Sequence, residues 1–589
     1  MSRRLPILLS ALFVLGAMSP PLGPFVPEAA AQQTTPCDLG GGGDARMLSA
    51  PPKYEPMPQQ LVELQSAAGG ATIQIGLVRP KVPRGVRVPV IVDASPYFHA
   101  MDILNYRDCE PFLVDNFVPQ GYAVALVPIR GTSNNGGCMN LMGPLERGDL
   151  DQAVTWLGTQ PWSNGSVGMI GVSYDGSTPW EVASFGNPHL KTIVPEEGVP
   201  SLFDLMYRGG TADWRGPAVL SGIYYLQSVV FYAPGRSIQH TMEQTACPQY
   251  VVGNAAGVYS TVTGTLDPLG YWAEREYLDD VLRNYRGSIF LVQGLQDWNV
   301  NPGVQYPLVQ QAASRGLYVK QLLGQWGHTR AAYADPPDQR ADYANILLAW
   351  FDRWLYGRKA KLGPRVQVED SLGKWRNEST WPPRGDRVGW WLTRNGSLST
   401  KPSPSEGSMT LAFDPVHLQE PSQGQNGGIF PPEAVHGVCA QPVCASFATP
   451  RMMSEYRISG IPRLRLTVTP SGPTGDVSAH LYAERGGEHS LIGWGKVDLR
   501  FPTGGGEPRP VTPGEPMVLD FALQPLDAVV QAGERLVLIL SEGNTYNRLP
   551  SAPPFPVTLH IGGQDSGLRL VRVHPKRSQF FVPPKPADI

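Results

Sequence analysis

The chain has 589 residues, too many for one compact core, so it divides into two or three domains. Charged residues make up 17% of it and the formal net charge is -3, which argues against a nucleic-acid surface or a polybasic membrane contact. Gly (65) and Pro (59) are both abundant and point to a loop-rich, β-rich protein, while the periodic apolar segments exclude a disordered one.

The first element in the chain is a targeting segment. Arg3 and Arg4 precede a short apolar stretch from Leu5 to Met18, and Ala29-Ala30-Ala31 offers small residues for cleavage. Residues 1–31 are expected to be a signal peptide and the mature protein to be secreted, with no stable membrane anchor, since a bilayer span needs about 20 apolar residues. Export gives the cysteines meaning, because an even number in an oxidising compartment implies disulfides. Cys439 and Cys444 close a short loop around Pro442 and form the expected local pair. Cys109 with Cys138 and Cys37 with Cys247 is one of several ways to complete the set. No Cys/His group has zinc spacing, so neither a metal nor a cofactor is expected.

After the glycines at 40–43, Ala71–Leu77 alternates and reads as a strand on the solvated edge of a sheet. Val88–Val92 and Tyr122–Val127 are denser apolar runs, as expected of strands covered on both faces. Asp149–Leu157 has helical spacing, with Asp149 placed to favour the helix N-terminus. Val167–Ile170 reads as a short buried strand and runs into Gly171-Val172-Ser173-Tyr174-Asp175-Gly176, which a helix follows. A strand follows at Thr192–Val194. Residues from about 199 to 278 then break the alternation with aromatic and apolar residues at helical spacing. That insertion is expected to be a helical cap over a pocket, with Leu202, Phe203 and Tyr207 as candidate substrate contacts. Ser288–Val292 and Leu317–Leu323 are two more strands, and Asn345–Leu355 is an amphipathic helix ending near Gly357. Strands alternating with helices predict a mostly parallel α/β sheet over residues 32–365. Beyond it, alternating runs such as Leu464–Val468, Val477–Tyr482 and Leu536–Leu540 lie between Gly/Pro turns. They predict an all-β jelly-roll sandwich over 366–589.

The turn at 171–176 carries the chemistry. A Gly-X-Ser-X-Gly turn between strand and helix is the nucleophile elbow of an α/β-hydrolase, where strain lifts the serine hydroxyl clear of the sheet. An activated serine needs a base, and the base needs an orienting acid, in the chain order Ser, acid, His. Two loops meet that demand: Gly294-Leu295-Gln296-Asp297-Trp298 after one strand and Gln325-Trp326-Gly327-His328 after the next. Ser173, Asp297 and His328 are therefore the expected catalytic set, with Trp298 beside them as a candidate substrate contact. The oxyanion of an acyl intermediate needs donors. The backbone N–H of Tyr174 is one, and the Tyr97 phenol, on the loop after Val88–Val92, is the second expected donor.

The tyrosine after Ser173, the run Pro161–Gly168, Pro96-Tyr97, Arg130-Gly131 with Ser133, Trp326-Gly327-His328 and Trp350–Leu355 together resemble the X-Pro dipeptidyl-peptidase family and its cocaine-esterase-like relatives. The Val-Pro-Ile before Arg130 departs from that family's pattern. The resemblance implies a serine hydrolase acting through an acyl-enzyme, with a small-molecule or peptide substrate and a C-terminal β-sandwich beside the pocket. A dipeptidyl-peptidase must hold a substrate ammonium, and Glu196 and Glu197, directly after Thr192–Val194, are the candidate carboxylates. An esterase or amidase acting on small acyl groups is the alternative, and a catalytically inactive secreted binding protein is a remote one. A homo-oligomer is left open.

Overall fold

The dense apolar runs become the centre of one large sheet. In the computed structural model, which describes residues 47–98, 110–133, 135–211, 247, 270–297, 299–334, 338–412, 444–505, 508–542, 555–563, 566–573 and 579–585, eleven strands join edge to edge. Ten of them are β1 (Gln60–Gln65), β2 (Thr72–Val78), β3 (Val88–Ser95), β4 (Ala123–Pro128), β5 (Ser163–Val172), β6 (Leu190–Glu196), β7 (Ser288–Gly294), β8 (Val319–Gly324), β9 (Val366–Glu369) and β10 (Trp375–Glu378). Their spatial order is β1-β2-β4-β3-β5-β6-β7-β8-β9-β10, with Gln579–Phe581 outermost. From β4 to β9 every pairing is parallel; β1 and β2 at one edge and β10 with Gln579–Phe581 at the other run antiparallel.

Alternation along the strands sorts the core into two layers. Val90 and Val92 of β3 face one cluster, which includes Leu150, Val154, Trp180 and Val309, while Ile91 between them faces a second with Phe117, Leu347 and Trp350. The helices behind these layers are α1 (Pro111–Phe117), α2 (Pro144–Thr159), α3 (Tyr174–Ala183), α4 (Leu202–Met206), α5 (Leu278–Asn284), α6 (Tyr306–Ser314) and α7 (Tyr343–Trp354). Both faces of the sheet are thereby covered.

Several expectations change. Thr72–Val78 is not the sheet edge, because Gln60–Gln65 pairs outside it and takes the exposed position. Helix α2 starts at Pro144, a residue suited to a first turn that needs no N–H. Asp149 is therefore mid-helix, and its carboxylate receives the Arg130 guanidinium at 2.9 and 3.0 Å instead of a helix terminus. The first sheet also does not stop at residue 365: β9 pairs in parallel with β8, and β10 and Gln579–Phe581 follow it, so these strands leave the sandwich and extend the hydrolase sheet.

The remaining C-terminal strands form a nine-stranded and a four-stranded sheet. Leu464, Leu466 and Val468 from one and Leu536, Leu538 and Leu540 from the other share an apolar interior, the packing of a β-sandwich.

Cys138 is bonded to Cys247, which corrects the pairings Cys109–Cys138 and Cys37–Cys247: residue 247 lies against the loop after β4, with 5.7 Å between the two Cα atoms. Cys444 is also in a disulfide, while Cys37, Cys109 and Cys439 lie outside the described residues. Most of the expected cap, 212–246 and 248–269, lies outside them too. Among the described residues no helix is long and apolar enough to cross a membrane.

Candidate active site

Strand β5 ends at Val172 and helix α3 begins at Tyr174, so the whole reversal falls on Ser173. Its backbone takes φ 66 and ψ -121, a region that costs a side-chain-bearing residue about 1–3 kcal/mol. The surroundings hold it there. The Ser173 N–H donates to the Glu196 carbonyl at 3.0 Å, and the Ser177 hydroxyl donates to the Ser173 carbonyl at 2.8 Å. The flanking glycines permit the close approach. A Cβ on Gly171 would lie 2.5 Å from the Asp175 Cβ, and one on Gly176 only 2.2 Å from the Glu196 carbonyl oxygen. Side chains at either position would push helix and sheet apart.

The order β5-β6-β7-β8 carries Ser173, Glu197, Asp297 and His328 to the same end of four adjacent strands. Asp297 sits in the loop after β7. Its Oδ1 accepts the N–H groups of Asn299 and Val300, each at 2.9 Å, and its Oδ2 lies 2.8 Å from His328 Nδ1. The His328 loop is pinned from outside: the Gln325 N–H donates to Glu369 Oε2 at 2.9 Å and its side-chain amide to the Asp527 carbonyl at 3.2 Å. With Nδ1 turned to the carboxylate, Nε2 is the nitrogen left for proton exchange with a substrate-side group. Among the described residues the Ser173 hydroxyl and His328 are not joined by a hydrogen bond, a contact that in unliganded sites often tightens only when substrate binds.

Glu197 makes the site unusual. It is fully buried, with φ 51, and its Oε2 lies 3.3 Å from the same His328 Nδ1. Burial alone would lower the basicity of His328, but Asp297 and Glu197 outweigh it and raise the imidazole from its ordinary 6.5 to about 10. Burial, then the charge of Asp297, pushes Glu197 up to about 8. These three residues bring their ligating atoms within 4.8 Å of one another, a set that could hold a cation. Asp297 Oδ1 and Glu197 Oε1, however, are already taken by N–H donors, so the arrangement is built to hold a charged imidazole.

Neither expected ammonium ligand is available to a substrate. Glu197 stands behind the histidine, and Glu196, also fully buried, lies 3.4 Å from Arg330 Nε. Arg330 in turn bonds Glu110 at 2.5 Å. Burial carries Glu196 up to about 7, with Arg330 opposing the rise. Both positions are thus corrected from substrate contacts to buried supports, because a residue at the end of a central strand is enclosed by its neighbours.

On the other side of the elbow, Tyr174 is the first residue of α3, which sets its backbone N–H at the helix N-terminus. Its hydroxyl donates to Glu146 Oε1 at 2.7 Å and accepts the Met142 N–H at 3.0 Å, so the ring is fixed. Tyr97, just past β3, is buried, and its ring meets that of Tyr174 edge-on with centroids 6.5 Å apart. Tyr97 thus packs beside the residue that follows Ser173.

Leu202 and Tyr207 are buried in the core, and the half-buried Phe203 stacks on Tyr207 at 5.0 Å, with Trp272 completing the group. They pack within that core, which corrects their expected role as substrate contacts. Trp298 lies outside the described residues. The residues that sequence reasoning missed are Glu146, Trp326 as a partner of Glu197, and Glu197 in its place behind the base. Only the order of strands in space, which no spacing in the chain encodes, would have found the last.

Comparison with known proteins points to a hydrolase. Residues 69–330 match the X-Pro dipeptidyl-peptidase (S15 family) model, and residues 359–564 match the X-Pro dipeptidyl-peptidase C-terminal non-catalytic domain. A Streptomyces avermitilis protein, provisionally named an Xaa-Pro dipeptidyl-peptidase, is 27% identical over 80% of this chain and 76% of its own length. The cocaine esterase of a Rhodococcus strain is 24% identical over 70% of this chain and 78% of its own length. Among solved structures, an α-amino acid ester hydrolase superposes with a TM-score of 0.68, covering 94% of this chain and all (100%) of its own, at 18% identity, which speaks for the fold alone.

Proposed function

We propose, from the premise that this chain belongs to the X-Pro dipeptidyl-peptidase (S15) family, that it releases N-terminal Xaa-Pro dipeptides by an acyl-enzyme mechanism on Ser173. The observation that carries the reading is the 2.8 Å contact of His328 Nδ1 with Asp297, at the ends of strands that neighbour the elbow.

In the proposed cycle His328 Nε2 takes the Ser173 proton as the oxygen attacks the scissile carbonyl carbon. Asp297 stabilises the imidazolium, and the Tyr174 N–H and Tyr97 phenol hold the oxyanion. His328 then gives the proton to the leaving amine. Water, deprotonated by the same nitrogen, attacks the acyl carbon and releases Ser173. The chain is also proposed to be exported, a reading supported by the leader-like residues 1–31 and by the Cys138–Cys247 bond.

A second reading, an acyl esterase, is favoured by one specific observation: the two glutamates expected to bind an ammonium are buried and engaged elsewhere. The deciding experiment compares kcat/KM for Gly-Pro and Ala-Pro anilides with that for short-chain acyl esters. Preference for the free-amine dipeptides is the expected result, and preference for the esters would replace the peptidase by the esterase. In both assays Ser173→Ala should abolish turnover while leaving the circular dichroism spectrum unchanged; retained activity would reject Ser173 as the nucleophile.

A further inference from the structure

A second carboxylate on the histidine has no part in the cycle above, and Glu197 is held there by several independent contacts. Its Oε1 accepts the Gly294 N–H at 3.2 Å and the Trp326 indole N–H at 2.9 Å. Its Oε2 faces His328 Nδ1 at 3.3 Å, while Asp297 Oδ2 approaches the same nitrogen at 2.8 Å. Adjacent strands β6 and β7 thus each deliver one carboxylate to a single ring nitrogen. The nitrogen carries one hydrogen, and Asp297, being nearer, takes the main share of it. Glu197 contributes its charge.

Burial and the charge of Asp297 oppose that charge and push the Glu197 carboxyl up to about 8, and two features of its neighbourhood work the other way. The partners of Oε1 are both N–H donors, which stabilise a carboxylate over a carboxylic acid. The charged or titratable groups facing it are Asp297 from the β7 loop, His328 from the β8 loop, Glu196 from β6 with its partner Arg330, and Tyr343 of α7. His328 is the cation that Glu197 touches.

We infer that Glu197 is a positioning residue of the catalytic base: its charge adds to that of Asp297 on the imidazolium and so sets the pH at which His328 becomes a free base. The inference rests on the serine-hydrolase reading. If it holds, the acidic limb of activity in this protein lies above the ordinary imidazole value of 6.5, since an added negative charge favours the protonated ring.

The test follows the rate of Ser173 labelling by a fluorophosphonate probe against pH, which needs the base but no choice of substrate. Glu197→Gln keeps a side-chain carbonyl for Gly294 and Trp326 and removes the charge. The midpoint of its acidic limb should fall by about one pH unit, so that well below both midpoints labelling relative to the plateau rises about tenfold. Glu197→Asp, which restores a carboxylate, should return the limb toward the wild-type position. Trp326→Phe removes one donor that favours the carboxylate and should move the limb the same way as Glu197→Gln, by less. A limb that stays in place in Glu197→Gln overturns the inference. If that variant does not fold, an unmoved limb in Trp326→Phe overturns it equally. A wild-type protein that fails to label at any pH would strike instead at the serine-hydrolase reading itself.

Discussion

At the scale of single residues, the surroundings of the elbow hold more buried acid than base. Glu181 of α3 is an instance away from the base itself: it is fully buried, and among the described residues neither carboxylate oxygen has a hydrogen-bond partner. Burial, then the neighbouring Glu146, raises it well above the ordinary glutamate range, with Arg147 and Arg275 opposing. The unfolded chain releases that proton at the ordinary value, whereas the folded protein holds it to higher pH. Stability is therefore lost as pH rises from the first value toward the second. Glu181→Gln should be more stable than wild type at pH 7–8 by about 1–3 kcal/mol and no different near pH 4, as measured by denaturant unfolding at both pH values. Ser173, Asp297 and His328 were legible in the chain because each falls directly after an apolar run, where a strand must end. The role of Glu197 was not. Its position after Thr192–Val194 was plain, but whether a residue there faces solvent or the back of a histidine depends on which strands flank it.

At the scale of elements, ten of the twenty-four described strands were visible as apolar runs, and the structure lengthens several of these at their ends. Val167–Ile170 grows to Ser163–Val172, and Leu536–Leu540 to Arg535–Ser541. The polar ends of a strand pair through backbone groups, which composition does not report. Gln60–Gln65 was missed for the same reason, since an edge strand with four of its six residues exposed has little apolar signal. The pairing of Cys138 with Cys247 was beyond reach because it joins residues 109 apart in the chain. That bond ties the insertion to the loop after β4. Cys138→Ser should cost about 2–4 kcal/mol, the typical worth of a disulfide. The loss should concentrate in the insertion, and limited proteolysis with mass mapping should find cleavage within 212–269 rising before the sheet strands open.

At the scale of the whole molecule, the two β-rich units are not side-by-side neighbours with a linker between them. Arg457 of the sandwich is fully buried and spans the junction. It bonds Asp527 at 2.7 and 2.8 Å on its own side, and Glu378 of β10 at 2.9 Å on the hydrolase side. Asp527 also receives the Trp381 indole at 3.3 Å and, through its carbonyl, the Gln325 amide of the loop that carries His328. The sandwich therefore braces the loop that carries His328 through the Asp527 backbone carbonyl. Arg457→Met leaves the buried Asp527 carboxylate without its cation and should destabilise the protein by about 3–5 kcal/mol. Differential scanning calorimetry would check this as a lowered transition in which both units melt together. Sequence patterning showed that the two architectures differ, but it drew their boundary at residue 365. A strand of four residues such as β9 carries too little pattern to reveal which sheet it joins.

One consequence follows from where Gln579–Phe581 lies. A ribosome finishes Ser173, Asp297 and His328 some two hundred and fifty residues before it reaches this strand. Yet Phe580 and Phe581 pair with Arg376 and Trp375 and close the border of the sheet on which that trio stands. A nascent polypeptide thus carries these three residues on a platform whose last border strand has yet to be made.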